Sequence, residues 1–262
     1  MGDLPRHFDS PEDAYFGFFR ADKAKDGEAW AAANSYPHVR ITPTTKLEGM
    51  DAKSTSFFVE TPEEYAAEAD WTEREATGWV GTKGRQPVRF HESADKVHLL
   101  GGWTRYNKDG EPIRTNRVTY IMTKPKDFWG IQGRFSVQSF DGPNEAVGRK
   151  CEGLVEQYVD AMKADDDATR ISLCRFPFVM VGVGEVTVIN DAAEMQTLLD
   201  NAPDRKLTAS ICQALQTSDS GALVSAAVAF DTGERENHLL LAGKLDDAWT
   251  IAGVSSMIDS VN

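Results

Sequence analysis

Apolar residues recur along this chain with two periods, and the periods alternate in a fixed order. At helical spacing, Ala14, Tyr15, Phe18, Phe19 and Ala21 form one stripe. It is entered through Ser10-Pro11-Glu12-Asp13, where a serine cap, a first-turn proline and two acids suit a helix start. Asp26 opens a short second helix through Trp30 to Asn34. Period two then takes over in Tyr36-Pro37-His38-Val39-Arg40-Ile41, a strand with proline at its beginning, and again at 55–59. Thr61-Pro62-Glu63-Glu64 reads as a capping box and predicts a third helix reaching Trp71. A loop containing Gly78, Gly81 and Gly84 leads to a short strand at 88–91. Residues 97–140 read as three long antiparallel strands, turned at Asn107-Lys108-Asp109-Gly110 and Lys124-Pro125-Lys126-Asp127. Trp103, Ile121, Trp129, Ile131, Phe135 and Val137 supply their apolar face, with Arg105, Asn116, Arg117, Tyr120 and Arg134 interleaved. Donors in the middle of a sheet either line a cavity or face water.

The pattern then repeats. Residues 144–164 form a long helix, Asp165-Asp166-Asp167 caps a short one, and Phe176-Pro177-Phe178-Val179-Met180-Val181 stands where Tyr36 to Ile41 stood. A strand at 186–189, a helix at 192–199 and four strands at 207–215, 222–230, 236–242 and 249–257 complete the set. Trp249-Thr250-Ile251-Ala252-Gly253 echoes Trp129-Gly130-Ile131-Gln132-Gly133 and predicts two core tryptophans. The boundary falls near Asp141-Gly142-Pro143, giving domains 1–142 and 143–262.

This α-α-β-β-α-β-β-β-β order, with the Tyr-Pro-His-Val-Arg-Ile and Trp-Gly-Ile-Gln signatures, resembles the NTF2-like (SnoaL-like) superfamily over nearly the whole chain, twice. The resemblance implies an α+β fold: two cone-shaped barrels in tandem, each a bent antiparallel sheet wrapped around helices. The open end of such a cone is a mostly apolar pocket. The first copy is also similar to a group of bacterial NTF2-like proteins, through Thr77-Gly78-Trp79, Lys96-Val97-His98, Thr104-Arg105-Tyr106 and the Gly110 turn. In that group a His-Ser pair often follows Thr-Gly-Trp. Here Gly81-Thr82 follows, so a role built on that histidine does not carry over. The superfamily includes isomerases, dehydratases, epoxide hydrolases, lyases and non-catalytic proteins, so the motifs specify fold and not reaction. Its copies commonly pair through the outer sheet face. An intramolecular pseudo-dimer is therefore expected, with further oligomerisation open.

Composition narrows the partners. A net charge of -13 disfavours phosphate backbones, so nucleic acid is not an expected partner. No apolar run approaches the length of a membrane span, and MGDLPRHFDSPED lacks the apolar centre of a secretory signal. Three widely spaced cysteines, Cys151, Cys174 and Cys212, argue against a disulfide framework and for a reducing cytoplasm. Charge is uneven: residues 1–142 carry 19 Lys+Arg against 22 Asp+Glu, and residues 143–262 carry 9 against 19. The first half also holds five of six Trp, five of six Tyr and four of five His.

No phosphate-cradling glycine loop, HExxH, CxxC or nucleophile elbow is present. The expected chemistry needs no cofactor and no metal. His91 and His98 lack an acidic ligand at short spacing. The candidates come from comparing the copies. Phe178 stands opposite His38, Met180 opposite Arg40, Leu240 opposite Tyr120 and Glu236 opposite Asn116, and the adjusted turns place Ala229 opposite Arg105 and Ala222 opposite His98. The second copy thus has apolar side chains at most positions where the first has titratable or donor groups. Unpartnered buried polar groups are costly and persist in a pocket mainly when a ligand or water satisfies them. His38, Arg105 and Tyr120 are accordingly the catalytic candidates, as base or acid, charge holder and oxyanion donor. Tyr36, Arg40, Trp71, Trp79, His98, Trp103, Asn116 and the buried-carboxylate candidate Asp22 are the substrate-binding set. Strand parity puts His98 on the face opposite Trp103 and Arg105 unless Gly101-Gly102 forms a bulge. The expected function is a cofactor-independent lyase, dehydratase or isomerase acting in the first copy on a small apolar or aromatic substrate. Lyases of lignin-derived aromatic dimers occur in the superfamily and suggest that substrate class. The rival is a non-catalytic module binding a ligand or a protein partner.

Overall fold

The computed structural model describes residues 4–50, 55–137, 142–203 and 205–258. These form two compact units, the first drawn from 1–40, 47–140 and 183–186, the second from 41–46, 141–182 and 187–262. The predicted strand end at 138–140, and Asp141 of the predicted boundary, lie outside the described residues.

In the first unit the order is α1 (Pro11–Ala24), α2 (Gly27–Ala32), β1 (Asn34–Ile41), β2 (Glu48–Gly49), β3 (Phe57–Val59), α3 (Pro62–Ala67) and α4 (Thr72–Ala76). The strands β4 (Trp79–Gly84), β5 (Val88–Glu92), β6 (Lys96–Asn107), β7 (Pro112–Thr123) and β8 (Gly130–Val137) follow. Local chemistry sets the helix starts. Ser10 Oγ accepts from Asp13 N at 3.1 Å, Asp26 accepts from Ala29 N at 2.9 Å, and Thr61 and Glu64 form the reciprocal capping box. The third helix stops at Ala67 instead of reaching Trp71, and a second short helix begins after that residue.

The second unit runs α5 (Glu145–Lys163), α6 (Asp167–Ser172), β9 (Cys174–Val181), β10 (Val186–Ile189) and α7 (Ala192–Asp200). It ends in β11 (Leu207–Ser218), β12 (Gly221–Phe230), β13 (Arg235–Leu245) and β14 (Ala248–Ile258). Asn144, Asp166 and Asp191 cap its three helices. One sheet has the order β2-β3-β1-β8-β7-β6-β4, with β5 also on β6, and the other has β10-β9-β14-β13-β12-β11. Apart from β2 and the doubled partner of β6, the two orders match strand for strand. The buried faces of α1 (Tyr15, Phe18, Phe19) and α5 (Cys151, Val155, Val159) each anchor their own apolar core.

Two expectations are corrected here, and the strand-parity expectation for His98 holds. The glycine loop is instead an edge strand, β4, paired antiparallel with β6 from Trp79 opposite Asn107 to Gly84 opposite Trp103. Its glycine is needed there: a Cβ on Gly84 would stand 2.5 Å from the Phe19 ring, so only glycine lets α1 lie that close. Gly101-Gly102 makes no bulge, because β6 and β7 stay in register from Lys96 to Arg105. His98 therefore points away from Trp103 and Arg105. Finally, Trp129 and Trp249 are half-buried, packed at the margins of the two cores.

Register also adjusts the pairing of copies. Tyr120 faces Leu99 and Leu240 faces Val224, so continuing along both ladders makes Phe230 the counterpart of Arg105 and Leu223 that of His98. Both counterparts are one residue beyond the expected ones and are still apolar. Among the described residues no helix is long and apolar enough to cross a membrane.

Candidate functional site

The first unit holds a cavity of about 410 Å³ bounded by strands of its sheet and by α2 and α4. Strand alternation delivers its lining. Arg40 comes from β1, Trp103 and Arg105 share one face of β6, Arg114 of β7 stands opposite Arg105, and Arg134 comes from β8. Trp30 of α2, Phe57 of β3 and Arg74 of α4 close the wall. Glu68, Asp70 and Glu73 sit at its exposed mouth.

Of the residues expected from sequence, Arg40, Trp103 and Arg105 line this cavity together. His38 does not reach it. It is 0% exposed, its Nδ1 is 2.7 Å from the Ile131 carbonyl oxygen, and the rings of Tyr65 and Phe57 lie 5.4 and 6.1 Å away. Burial, then the charge of Arg134, hold its imidazole well below the usual histidine range, so it stays neutral. Tyr120 is likewise sealed, edge-on to Tyr15 at 4.8 Å, with burial pushing its phenol well up. Tyr36 donates to the Ala31 carbonyl at 2.9 Å. Asp22 is buried, accepting from Trp71 Nε1 at 3.0 Å and pairing with Arg74. Trp79 Nε1 donates to Thr82 Oγ1 at 3.0 Å, and His98 Nδ1 meets His91 Nδ1 at 2.9 Å on the other sheet face. Asn116 is buried opposite Trp103, with neither amide atom hydrogen-bonded.

The second unit has the larger cavity, about 600 Å³, and it is not devoid of chemistry. Met162, Met180, Met195, Met257, Phe178 and Leu240 make most of its wall apolar. Into it project Glu236 and His238 from β13, two apart and so on one face, with Ser256 of β14 directly opposite His238. Ser256 Oγ lies 2.7 Å from His238 Nδ1, and His238 Nε2 lies 3.2 Å from Glu236 Oε2. Arg205 holds the same carboxyl group at 2.5 Å and lies over the Phe230 ring at 4.0 Å. Burial pushes Glu236 up, but His238 together with Arg205 outweighs it, and the net direction is down. Glu236 is thus a carboxylate. Ala226, opposite His238 on its other side, is small enough to leave the ring open to the cavity.

The sequence reading missed this chain of groups because it looked only for positions where the first copy was polar. The usable signal was Glu236-Asn237-His238 in a strand, which puts an acid and an imidazole side by side. Arg74 and Trp30 were also missed, since helices bring them in and no strand comparison reveals them. Among the described residues no cluster of three or more His, Cys, Asp or Glu is arranged to hold a metal ion.

No protein-family model matches the chain, and no curated protein matches it by sequence. Some solved structures align with parts of the chain. A cystatin-like domain of unknown function from Nostoc punctiforme aligns at 17% identity and TM-score 0.38, over 61% of this chain and 89% of its own. An NTF2-like protein of unknown function from Pseudomonas putida aligns at 10% and 0.36, over 44% and 88%. Another from Silicibacter pomeroyi aligns at 19% and 0.33, over 44% and 95%. Element order and sheet order give each unit the α+β, cystatin-like or NTF2-like fold, a bent sheet wrapped around helices. At such identities, function has to be read from this chain's own residues.

Proposed function

We propose that the chain is a cofactor-independent enzyme of the lyase, dehydratase or isomerase type, acting by proton transfer on a small apolar molecule in the second unit's cavity. The observation that carries this reading is the grouping of Glu236, His238 and Ser256 in a cavity walled mostly by methionine, leucine and phenylalanine, with Asp165, Asp167, Arg170 and Arg205 also on its lining. Imidazole is the side chain best suited to exchange protons near neutral pH. Nε2 lies close to the Glu236 carboxylate but is not aligned for a hydrogen bond, so the pair acts through charge, while Nδ1 is placed to take the Ser256 hydroxyl proton and Ser256 becomes the group that meets substrate. Ser256 lies within β14, whose backbone pairs with β13. It lacks the strand-to-helix elbow and free amides that stabilise an acyl-transfer oxyanion. Proton shuttling is therefore the better assignment than nucleophilic attack. The apolar wall favours a substrate with one carbonyl or hydroxyl and a hydrocarbon or aromatic body. His38, sealed and neutral, is read as structural.

The test requires no knowledge of the natural substrate. A panel of small enones, alcohols and aryl diols is incubated in D2O, and deuterium uptake beside the carbonyl or hydroxyl carbon is followed by NMR. The wild-type chain should accelerate exchange for at least one compound, His238→Gln should abolish it, and His38→Phe should retain it. Loss in His38→Phe with full exchange in His238→Gln would return the chemistry to the first unit and sink this reading.

A further inference from the structure

The cavity of the first unit has a different character, and the relay of the second does not account for it. Arg40, Arg105 and Arg134 converge on it from three strands. Arg134 donates to Tyr65 OH at 3.1 Å and Arg105 lies over the Trp103 ring at 4.7 Å, yet among the described residues none of the three forms an ion pair. Arg74, by contrast, is neutralised by Asp22. The Nε atoms of Arg105 and Arg134 are buried without a hydrogen-bond partner. Asn116, 1% exposed and cross-strand from Trp103 on the cavity face, has neither amide atom satisfied.

Converging cations, Arg134 buried and Arg40 and Arg105 half-buried, repel one another, and the carboxylates at the mouth offset only part of that charge. Burial, then Arg134, brings the Arg40 guanidinium down to about 9, and burial, then Arg74, brings Arg105 down to about 10. Such an arrangement is destabilising until an anion enters it. Planar guanidinium forks match the two oxygens of a carboxylate. Trp30, Phe57 and Trp103 add flat apolar walls, Glu68, Asp70 and Glu73 stand at the exposed mouth, and about 410 Å³ is room for a molecule of one ring. The whole chain carries -13, so its overall field repels anions and the attraction must be local.

We propose that this cavity binds a small organic carboxylate, its oxyanion held by Arg40, Arg105 and Arg134 and its apolar body set against Trp30 and Trp103. The experiment titrates the full chain by calorimetry with benzoate, inorganic phosphate and benzyl alcohol, and follows Tm with each. Benzoate should bind and raise Tm, with phosphate weaker and benzyl alcohol weaker still. The double variant Arg40→Gln/Arg105→Gln should lose about tenfold or more in benzoate affinity while keeping or exceeding the unliganded Tm. Arg105→Lys, which keeps the charge and loses the fork, should fall between the two. Arg149→Gln, a side chain 72% exposed in the other unit, should bind like the wild type. The proposal is overturned if benzoate shows no binding up to about 10 mM. It is overturned equally if phosphate or benzyl alcohol binds as tightly as benzoate, or if the arginine variants bind benzoate undiminished.

Discussion

His38 Nδ1 donates to the carbonyl oxygen of Ile131 at 2.7 Å, while its Nε2 has no partner, so one ring nitrogen fixes the tautomer and the other cannot be protonated cheaply. The unfolded chain takes up this proton near pH 6.5, whereas the folded chain resists it because burial holds the group well below its usual range. Between those two values the unfolded state binds more protons, so stability increases with pH. The contribution is complete above about pH 7 and is lost as pH falls, at up to about 1.4 kcal/mol per pH unit. His38→Phe, which installs the type found at Phe178, should flatten the stability profile between about pH 5 and 7. Urea titrations at stepped pH measure it, and an unchanged slope would rule out the neutral buried state.

Asp22 ties two elements together, accepting the Trp71 indole and pairing with Arg74 from inside the core. Asp22→Ala strands a partly buried guanidinium and an indole N–H. The expected loss is about 3 kcal/mol, as for breaking a buried pair from one side. Trp71 emission should shift to the red in the same variant. A loss below about 1 kcal/mol would mean that the pair behaves as a surface bridge.

Depth of burial, not side-chain size, should rank the aromatic truncations. Phe135 is fully buried, while Trp129 is only partly so. Phe135→Ala should cost about 3–5 kcal/mol, and Trp129→Ala no more than about 2 kcal/mol. Chemical denaturation of the two variants checks the order, and the reverse ranking would contradict the observed phase of β8.

Gly102 has φ of 141°, and a Cβ there would lie 2.2 Å from the Asn116 carbonyl oxygen, which is backbone and cannot swing aside. Its own carbonyl also receives the Tyr15 hydroxyl at 2.8 Å. Gly102→Ala should therefore prevent folding or lower Tm by about 10 °C or more, given that a few kcal/mol shift a domain of this size by several degrees each. A variant melting within about 2 °C of wild type would overturn the close approach.

The helix caps, the strand alternation and the repeated order were all legible in the chain because each is a local or periodic signal. Ser10, Asp26, Thr61 and Asp191 announce their helices within three residues. The edge strand β4 was hidden because its glycines look like loop punctuation, and only the ring of Phe19, far away in sequence, explains Gly84. The site was harder for the same reason. Alternation put Arg40, Trp103 and Arg105 on usable faces, but it could not tell that β1 carries His38 inward past the cavity to Ile131. Nor could it show that Ser256 comes to rest against His238, a pairing set by the register of β13 on β14.

The shared sheet order of the two units has a consequence for how such a chain can change. Arg40 and Met180, Arg105 and Phe230, and Arg134 and Val254 occupy matching backbone positions. One scaffold therefore tolerates a cavity on which three arginines converge and another that is apolar at the matching positions. Once a gene holds two such cavities, one can drift in solvent character while the other keeps its occupant. Each half is then a natural control for the other, and grafting a trio of residues across the repeat is the most direct way to transplant a ligand preference.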